Sequence, residues 1–129
     1  MDLRPAEIVA ELYAAMGRAD WDAYARHLHP DFRVVEADCL PFGGTWRGLS
    51  GFKALVERVF ELFSIFEPRL VRLASADDAV LAWVEMRLVG RQSGKAVEMP
   101  MIEAFLFADG KLREIRPFYF DPERIRAIL

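Results

Sequence analysis

The sequence contains a single cysteine, Cys39. One cysteine excludes an internal disulfide and a thiolate zinc site, and it is typical of proteins from a reducing compartment. No apolar run approaches the roughly 20 residues that a membrane-spanning helix needs. The N-terminus also lacks the basic flank and apolar segment of a signal peptide. We therefore expect a cytoplasmic protein with no membrane partner.

The sequence also has little net charge. The formal charge is −3, and its lysines and arginines are dispersed along the chain. Without a basic stripe, nucleic acid is not an expected partner. His27 and His29 have no third ligand at a metal-binding spacing, so no metal is expected. Gly43, Gly44 and Gly48 do not stand between a strand and a helix of a dinucleotide-binding unit, so no dinucleotide cofactor is expected either.

Apolar and aromatic residues are abundant. The chain is 53% hydrophobic and contains 10 Phe and 3 Trp. This composition is typical of a folded globule with an aromatic core. A length of 129 residues suits one domain, so we expect a single domain over residues 1–129.

The first half of the chain shows apolar residues at helical spacing. Pro5 suits a first helical turn, and Asp20 and Ser50 are good N-cap residues. The predicted elements are a helix over 5–17, a short helix that begins after Asp20, a brief strand over 32–36, a long irregular loop over 38–50 and a helix from Ser50 to about residue 64.

The second half is rich in β-branched and aromatic residues separated by turn-forming residues. The predicted strands cover 68–75, 79–91, 96–107 and 112–120. Their short connections indicate an antiparallel meander, followed by a short helix that begins at Asp121. Helices before such a meander predict an α+β fold in which a curved sheet wraps around the helices and leaves a conical hollow. Pro100 predicts an edge position or a bulge.

Glu103 is the only charged residue in the segment 99–107. Because strand side chains alternate between faces, it shares a face with Met99, Met101 and Phe105. An ionised carboxylate in apolar surroundings is usually paired, neutralised by a raised pKa, or placed in a cavity that uses it. Glu103 is therefore a candidate functional residue, and a buried structural ion pair is the alternative.

Four segments carry a resemblance to a known family. They are LYAAMGRADWD at 12–22, LPFGGTWRG at 40–48, DGKL at 109–112 and FYFD at 118–121. Their order resembles the nuclear transport factor 2-like superfamily, and within it the SnoaL-like and ketosteroid isomerase-like proteins. The resemblance implies a cone-shaped α+β barrel of the cystatin-like type over nearly the whole chain.

The ketosteroid isomerase-like proteins imply catalytic positions in this sequence. Glu103 matches the protonated acid of that enzyme, and Tyr13 matches the tyrosine of its oxyanion hole. The general base belongs in residues 35–38, where Ala37 is the nominal match and Glu36 and Asp38 are both candidates. For Tyr13, a core tyrosine with its hydroxyl at the rim is the alternative.

The SnoaL-like cyclases imply a further position near the end of the last strand. Asp121 matches their acid/base aspartate and shares a face with Tyr119 if the strand continues that far. The alternative is that Asp121 caps the terminal helix.

These residues predict an apolar pocket with a few polar groups, the usual form of a small-molecule site. Its predicted walls are Phe42, Trp46, Met99, Met101, Phe105 and Tyr119. A desolvated acid and an ionised carboxylate can together form an enolate from a hydrophobic carbonyl compound without a cofactor. Isomerisation, cyclisation and dehydration all pass through such an enolate. The alternative function is a non-catalytic ligand-binding or assembly module.

Charged and aromatic residues share the predicted outer faces of the strands. For example, Trp83, Glu85 and Arg87 lie on one face of their strand. Such mixed faces are common at interfaces, and members of the superfamily usually pair through this side of the sheet. We therefore expect a homodimer, with a solvated sheet face as the alternative.

Overall fold

The computed structural model describes residues 3–129 and contains four helices and six strands in that part of the chain. In chain order the elements are α1 Pro5–Gly17, α2 Trp21–His27, β1 Leu28–Glu36, β2 Gly44–Arg47, α3 Gly48–Leu62, β3 Phe63–Ala76, β4 Ala79–Gly90, β5 Ala96–Ala108, β6 Lys111–Tyr119 and α4 Pro122–Ala127. No helix within residues 3–129 is long and apolar enough to cross a bilayer.

The strands form one curved sheet in the order β2-β1-β6-β5-β4-β3. The predicted α+β class and the meander of β3 to β6 are confirmed, because each of these strands pairs antiparallel with the next. The sheet does not close, because β2 and β3 remain as its two edges, so the predicted barrel is only partly formed. Two features were not predicted: β1 pairs in parallel with β6, and β2 pairs with β1 at the edge.

Some predicted boundaries are wrong. The segment 38–50 is not wholly irregular, because β2 lies within it. Ser50 does not cap α3, which begins at Gly48 with Arg47 in the N-cap position. The strand predicted over 68–75 is longer in the structure, where it is β3 and begins at Phe63. The chain passes directly from α3 into β3, and the Phe63 side chain is completely buried there. By contrast, Asp20 caps α2 as predicted and accepts a hydrogen bond from the Ala23 amide at 3.2 Å.

Pro100 lies in an interior strand, so its predicted edge position is wrong. The alternative prediction was a bulge, but the irregularity in the pairing of β5 with β6 lies between Leu106 and Phe107 rather than at Pro100. The β5–β6 pairs begin only at Met101, one residue beyond Pro100. The missing N–H therefore falls at the end of this ladder, where a proline removes no strand-pairing hydrogen bond.

The hydrophobic core lies between the inner face of the sheet and helices α1 to α3. Val80, Ala82 and Val84 alternate with less buried residues along β4 and are fully buried, as period-two spacing on a one-sided sheet requires. Ile128, which directly follows α4, packs on the turn after β4, where its carbonyl oxygen accepts a hydrogen bond from the Ser93 hydroxyl. There, a side chain on Gly90 would place its Cβ 1.8 Å from the Ile128 carbonyl oxygen, so only glycine fits.

Candidate active site

An apolar cavity of about 400 Å³ lies between the inner face of the sheet and the three N-terminal helices. Its lining is mostly aliphatic and aromatic and includes three glutamates: Glu36 of β1, Glu103 of β5 and the exposed Glu67 of β3. The residues that line it are Leu12, Tyr13, Met16, Gly17, Tyr24, Val34, Glu36, Phe52, Leu55, Val56, Val59, Phe60, Phe66, Glu67, Pro68, Met86, Met101, Glu103, Phe105, Ile115 and Tyr119. Its volume is in the range of small-molecule sites.

Glu103 projects from β5 into this cavity and is hydrogen-bonded to the first helix. The Tyr13 hydroxyl donates to Glu103 Oε1 at 2.5 Å, and the Tyr13 ring packs edge-on against Phe105 with centroids 5.8 Å apart. Glu103 keeps some accessible surface toward the cavity, but protein atoms surround it on its other sides. Burial therefore raises the pKa of Glu103 to about 7, and the Tyr13 hydrogen bond lowers it only in part.

Glu36 is the second acid of the cavity and is one of two buried charged residues in the described chain, with 6% of its surface exposed. It ends β1, where Phe32, Val34 and Glu36 alternate on the inner face. The Tyr119 hydroxyl donates to Glu36 Oε1 at 3.2 Å. Burial, and then the nearby charge of Glu103, raise the pKa of Glu36 to about 8, against the opposing effect of the Tyr119 hydrogen bond.

Each acid therefore has a tyrosine as its hydrogen-bond partner, and neither has a basic partner. Within residues 3–129, no lysine, arginine or histidine nitrogen lies within 4.0 Å of the carboxylate oxygens of Glu36 or Glu103, so the ion pair considered as an alternative for Glu103 does not form there. A third hydroxyl, that of Tyr24, donates to the Leu12 carbonyl oxygen at 3.1 Å. Burial also raises the pKa of Tyr13, Tyr24 and Tyr119, so all three stay protonated and act as donors.

Six of the eleven site residues named from the sequence line the cavity. They are Tyr13, Glu36, Glu103, Met101, Phe105 and Tyr119. The other aromatic and apolar wall residues lie outside the lining. Phe42 and Met99 are buried in the core, and Phe42 supports the cavity indirectly by packing edge-on against Tyr119 with centroids 6.4 Å apart. Trp46 donates its indole N–H to the Phe42 carbonyl oxygen at 3.0 Å.

The two aspartates named from the sequence also lie outside the cavity lining. Asp38 is exposed in the loop that follows β1, whereas Glu36, the other candidate for the base position, faces the cavity. Asp121 occupies the N-cap position of α4, but its side chain accepts no capping hydrogen bond there.

The predictions from the sequence missed some residues of the cavity lining, because the sequence did not indicate how the elements that carry them pack around the cavity. Tyr24, Met86 and Ile115 line the cavity but are not among the site residues predicted from the sequence. One usable signal was present in β1. Glu36 follows Phe32 and Val34 at period-two spacing, which is the same pattern that singled out Glu103.

The family model described as the SnoaL-like domain matches residues 9–115 of this sequence. The chain belongs to the SnoaL-like family. The match covers both catalytic-candidate glutamates and the tyrosine on α1. No curated protein sequence matches this chain significantly.

Solved structures similar to this SnoaL-like chain share its fold over nearly its whole length. A Burkholderia thailandensis protein described as NTF2-like is 26% identical, with 98% of each chain covered and a TM-score of 0.89. A protein of unknown function with a cystatin-like fold from Xanthomonas campestris is 20% identical, with 98% of each chain covered and a TM-score of 0.85. A putative SnoaL-like polyketide cyclase from Jannaschia is 22% identical, covering 96% of this chain and 90% of its own, with a TM-score of 0.79. The predicted NTF2-like, cystatin-like fold is thus confirmed.

Proposed function

We propose that this SnoaL-like protein is a cofactor-independent acid/base catalyst that forms an enolate from a hydrophobic carbonyl compound. The observation that carries the proposal is the pair of glutamates in one apolar cavity, each hydrogen-bonded to a tyrosine and neither bonded to a cation. Two acids whose pKa values differ can divide the roles of base and acid between them. The name of the Jannaschia neighbour, a putative polyketide cyclase, agrees with this class of reaction.

The two acids are coupled, since the charge of Glu103 contributes to the raised pKa of Glu36, so ionisation of one favours the protonated form of the other. In the assignment that we propose, which is opposite to the one implied by the family resemblance, Glu103 ionises and serves as the base that removes a proton α to the carbonyl. Glu36, with a value of about 8, keeps its proton near neutrality and donates a hydrogen bond to the carbonyl oxygen as negative charge develops there. Tyr13 holds the Glu103 carboxylate, and Tyr119 holds Glu36. The reaction then ends as an isomerisation, a cyclisation or a dehydration, depending on the substrate.

The test is deuterium exchange into a compact hydrophobic ketone such as tetralone, followed by NMR in D₂O. Exchange α to the carbonyl reports enolate formation whatever the natural product is. We expect exchange well above the buffer rate, with a maximum between the two pKa values near pH 7.5, and a loss of about 10²- to 10⁴-fold in Glu103→Gln. Glu57→Gln, an exposed change on α3 outside the cavity, is the matched control.

Two outcomes would count against catalysis. Exchange that persists at full rate in Glu103→Gln would remove the base from the proposal. Binding of the ketone without any exchange would favour the second candidate function, a non-catalytic ligand-binding module, which the same apolar lining also suits.

We also propose that the protein forms a homodimer through the outer face of the sheet. Trp83, Ile102 and Phe118 pair side by side across β4, β5 and β6, and they are 45%, 37% and 56% exposed. Glu85 and Arg87 flank this row on β4, so the surface carries both signs of charge. A twofold-symmetric interface needs such a self-complementary surface, which favours a second copy of the chain as the occupant.

Sedimentation analysis tests the dimer. Phe118→Lys should convert a dimer of the 14.8 kDa chain to a monomer, whereas Val71→Lys, an exposed apolar position on β3 outside the row, should not. A wild-type protein that sediments as a monomer at micromolar concentration would refute the proposal.

A further inference from the structure

The charged residues that line the cavity are all acidic. They are Glu36, Glu67 and Glu103, and no lysine, arginine or histidine is among the lining residues. Glu67 is exposed and lies opposite Arg87 in the register of β3 with β4, whereas Glu36 and Glu103 lie on the inner face. A bound anion would therefore meet two carboxyl groups and no opposite charge, which disfavours it strongly in a low-dielectric site.

The tyrosine hydroxyls of the cavity are already engaged. Those of Tyr13, Tyr119 and Tyr24 donate respectively to Glu103, to Glu36 and to the Leu12 carbonyl oxygen. When Glu103 is ionised, its remaining carboxylate capacity is that of a hydrogen-bond acceptor. In that state, Glu103 can bind a ligand that donates hydrogen bonds and carries positive charge.

The apolar part of the lining suits such a ligand as well. Phe52, Phe66 and Phe105 contribute aromatic rings to the cavity wall, together with the rings of the three tyrosines. Aromatic faces attract cations, and the attraction is larger where water is excluded. The cavity therefore combines the two groups that can bind the ammonium ion of a hydrophobic amine, namely carboxylates and aromatic rings.

We infer that the cavity binds hydrophobic amines in their protonated form, with the ammonium group at Glu103 and the apolar body against the aromatic wall. This inference goes beyond the proposed function, since it requires the cavity but not catalysis. Such amines would compete with the carbonyl substrate for the same space.

The inference predicts a definite pH dependence. The groups that face Glu103 are Tyr13 from α1, Tyr24 from α2, Glu36 from β1 and Tyr119 from β6, and the three tyrosines remain neutral. An ammonium ion binds the ionised form of Glu103, whose fraction rises from about a tenth at pH 6 to about nine-tenths at pH 8 for a pKa of about 7. Amine affinity should therefore rise about tenfold over this interval.

Isothermal titration calorimetry with three ligands of one shape tests the inference: naphthylmethylamine, naphthylmethanol and naphthoate. At pH 8 we expect the amine to bind at least tenfold more tightly than the alcohol, and the naphthoate not to bind. Between pH 6 and pH 8 the amine affinity should rise about tenfold, and the alcohol affinity should not rise. Glu103→Gln should abolish the advantage of the amine, and Glu57→Gln should leave it intact.

Equal affinities of amine and alcohol at pH 8 would overturn the inference, as would an amine advantage that is independent of pH in the wild type. The wild-type pH series decides the question even if Glu103→Gln does not fold. Calorimetry measures binding and the exchange assay measures turnover, so the failure of one does not by itself imply the failure of the other.

Discussion

Raising the pH from 5.5 to 9.5 should destabilise this protein by several kcal/mol, because two carboxyl groups hold their protons more tightly in the fold than in the unfolded chain. Burial raises their pKa values from 4.5 to about 7 for Glu103 and to about 8 for Glu36. In this interval the folded state binds more protons than the unfolded state, so the free energy of unfolding falls with increasing pH. The stabilisation is complete below pH 4.5 and is lost as the pH rises through 7 and 8.

The expected loss between pH 5.5 and pH 9.5 is about 2 kcal/mol for Glu103 and about 3 kcal/mol for Glu36, at 1.36 kcal/mol per unit of pKa difference. The two values are not independent, since the charge of Glu103 contributes to the shift at Glu36. A loss of this size is a large part of the roughly 5 to 15 kcal/mol that stabilises a typical domain.

Urea unfolding followed by tryptophan fluorescence, at several pH values and one protein concentration, measures this loss. The double variant Glu36→Gln/Glu103→Gln should show a much flatter dependence, and Glu57→Gln should match the wild type. His27 and His29 are present in all three proteins, so their contribution cancels in the comparison. A wild-type stability that is constant or rises over this interval, or an equal fall in the double variant, would refute the assignment of buried, unpaired acids.

Two further predictions follow from single contacts. Gly90→Ala should destabilise the protein by about 1 to 3 kcal/mol in urea unfolding, because the new methyl group would overlap the Ile128 carbonyl oxygen. The control is Gly17→Ala, which should change stability far less because no atom lies within 4 Å of the added carbon. Tyr13→Phe should raise the pKa of Glu103 further, because it removes the hydrogen bond that favours the ionised form. NMR titration of the Glu103 carboxyl carbon checks this shift, and an unchanged or lower pKa would contradict it.

Local patterns in the sequence were sufficient to predict the helices and the meander. Their apolar spacing, caps and turns all act within a few residues of one another, as at Pro5 and Asp20. The pairing of β1 with β6 was not predictable in this way, because it joins Val34 to Ile115 across most of the chain. The strand β2 was hidden for a related reason, since its four residues form a strand only because β1 offers an edge to pair with.

The candidate site was predictable to the extent that it depends on alternation within one strand. Glu103 was singled out because its neighbours on the same face are apolar, and Tyr13 came from the family resemblance. The choice between Glu36 and Asp38 could not be made from alternation, because residues two positions apart point to the same face of a strand. The structure separates them, since β1 ends at Glu36 and Asp38 lies past the end of the strand, exposed in the loop.

The hydrogen-bond and ion-pair partners of the buried acids differ within this single molecule and separate Glu114 from the two cavity glutamates. Glu114 on β6 is buried, and its carboxylate lies 2.8 Å from both Arg33 and Arg116. Two guanidinium groups fix a negative charge there, because Arg cannot be deprotonated in proteins. Glu36 and Glu103 have tyrosine hydroxyls in the corresponding role.

A tyrosine hydrogen bond orients a carboxyl group but supplies no positive charge to hold it ionised. The proton can then leave or return near neutral pH, at the cost in stability described above. Substituting an arginine beside Glu103 would remove that cost, and it would also remove the proton exchange on which the proposed chemistry depends. The protein uses arginine pairing for Glu114, on the opposite face of the sheet, so the absence of such pairing in the cavity supports a chemical role for its two acids.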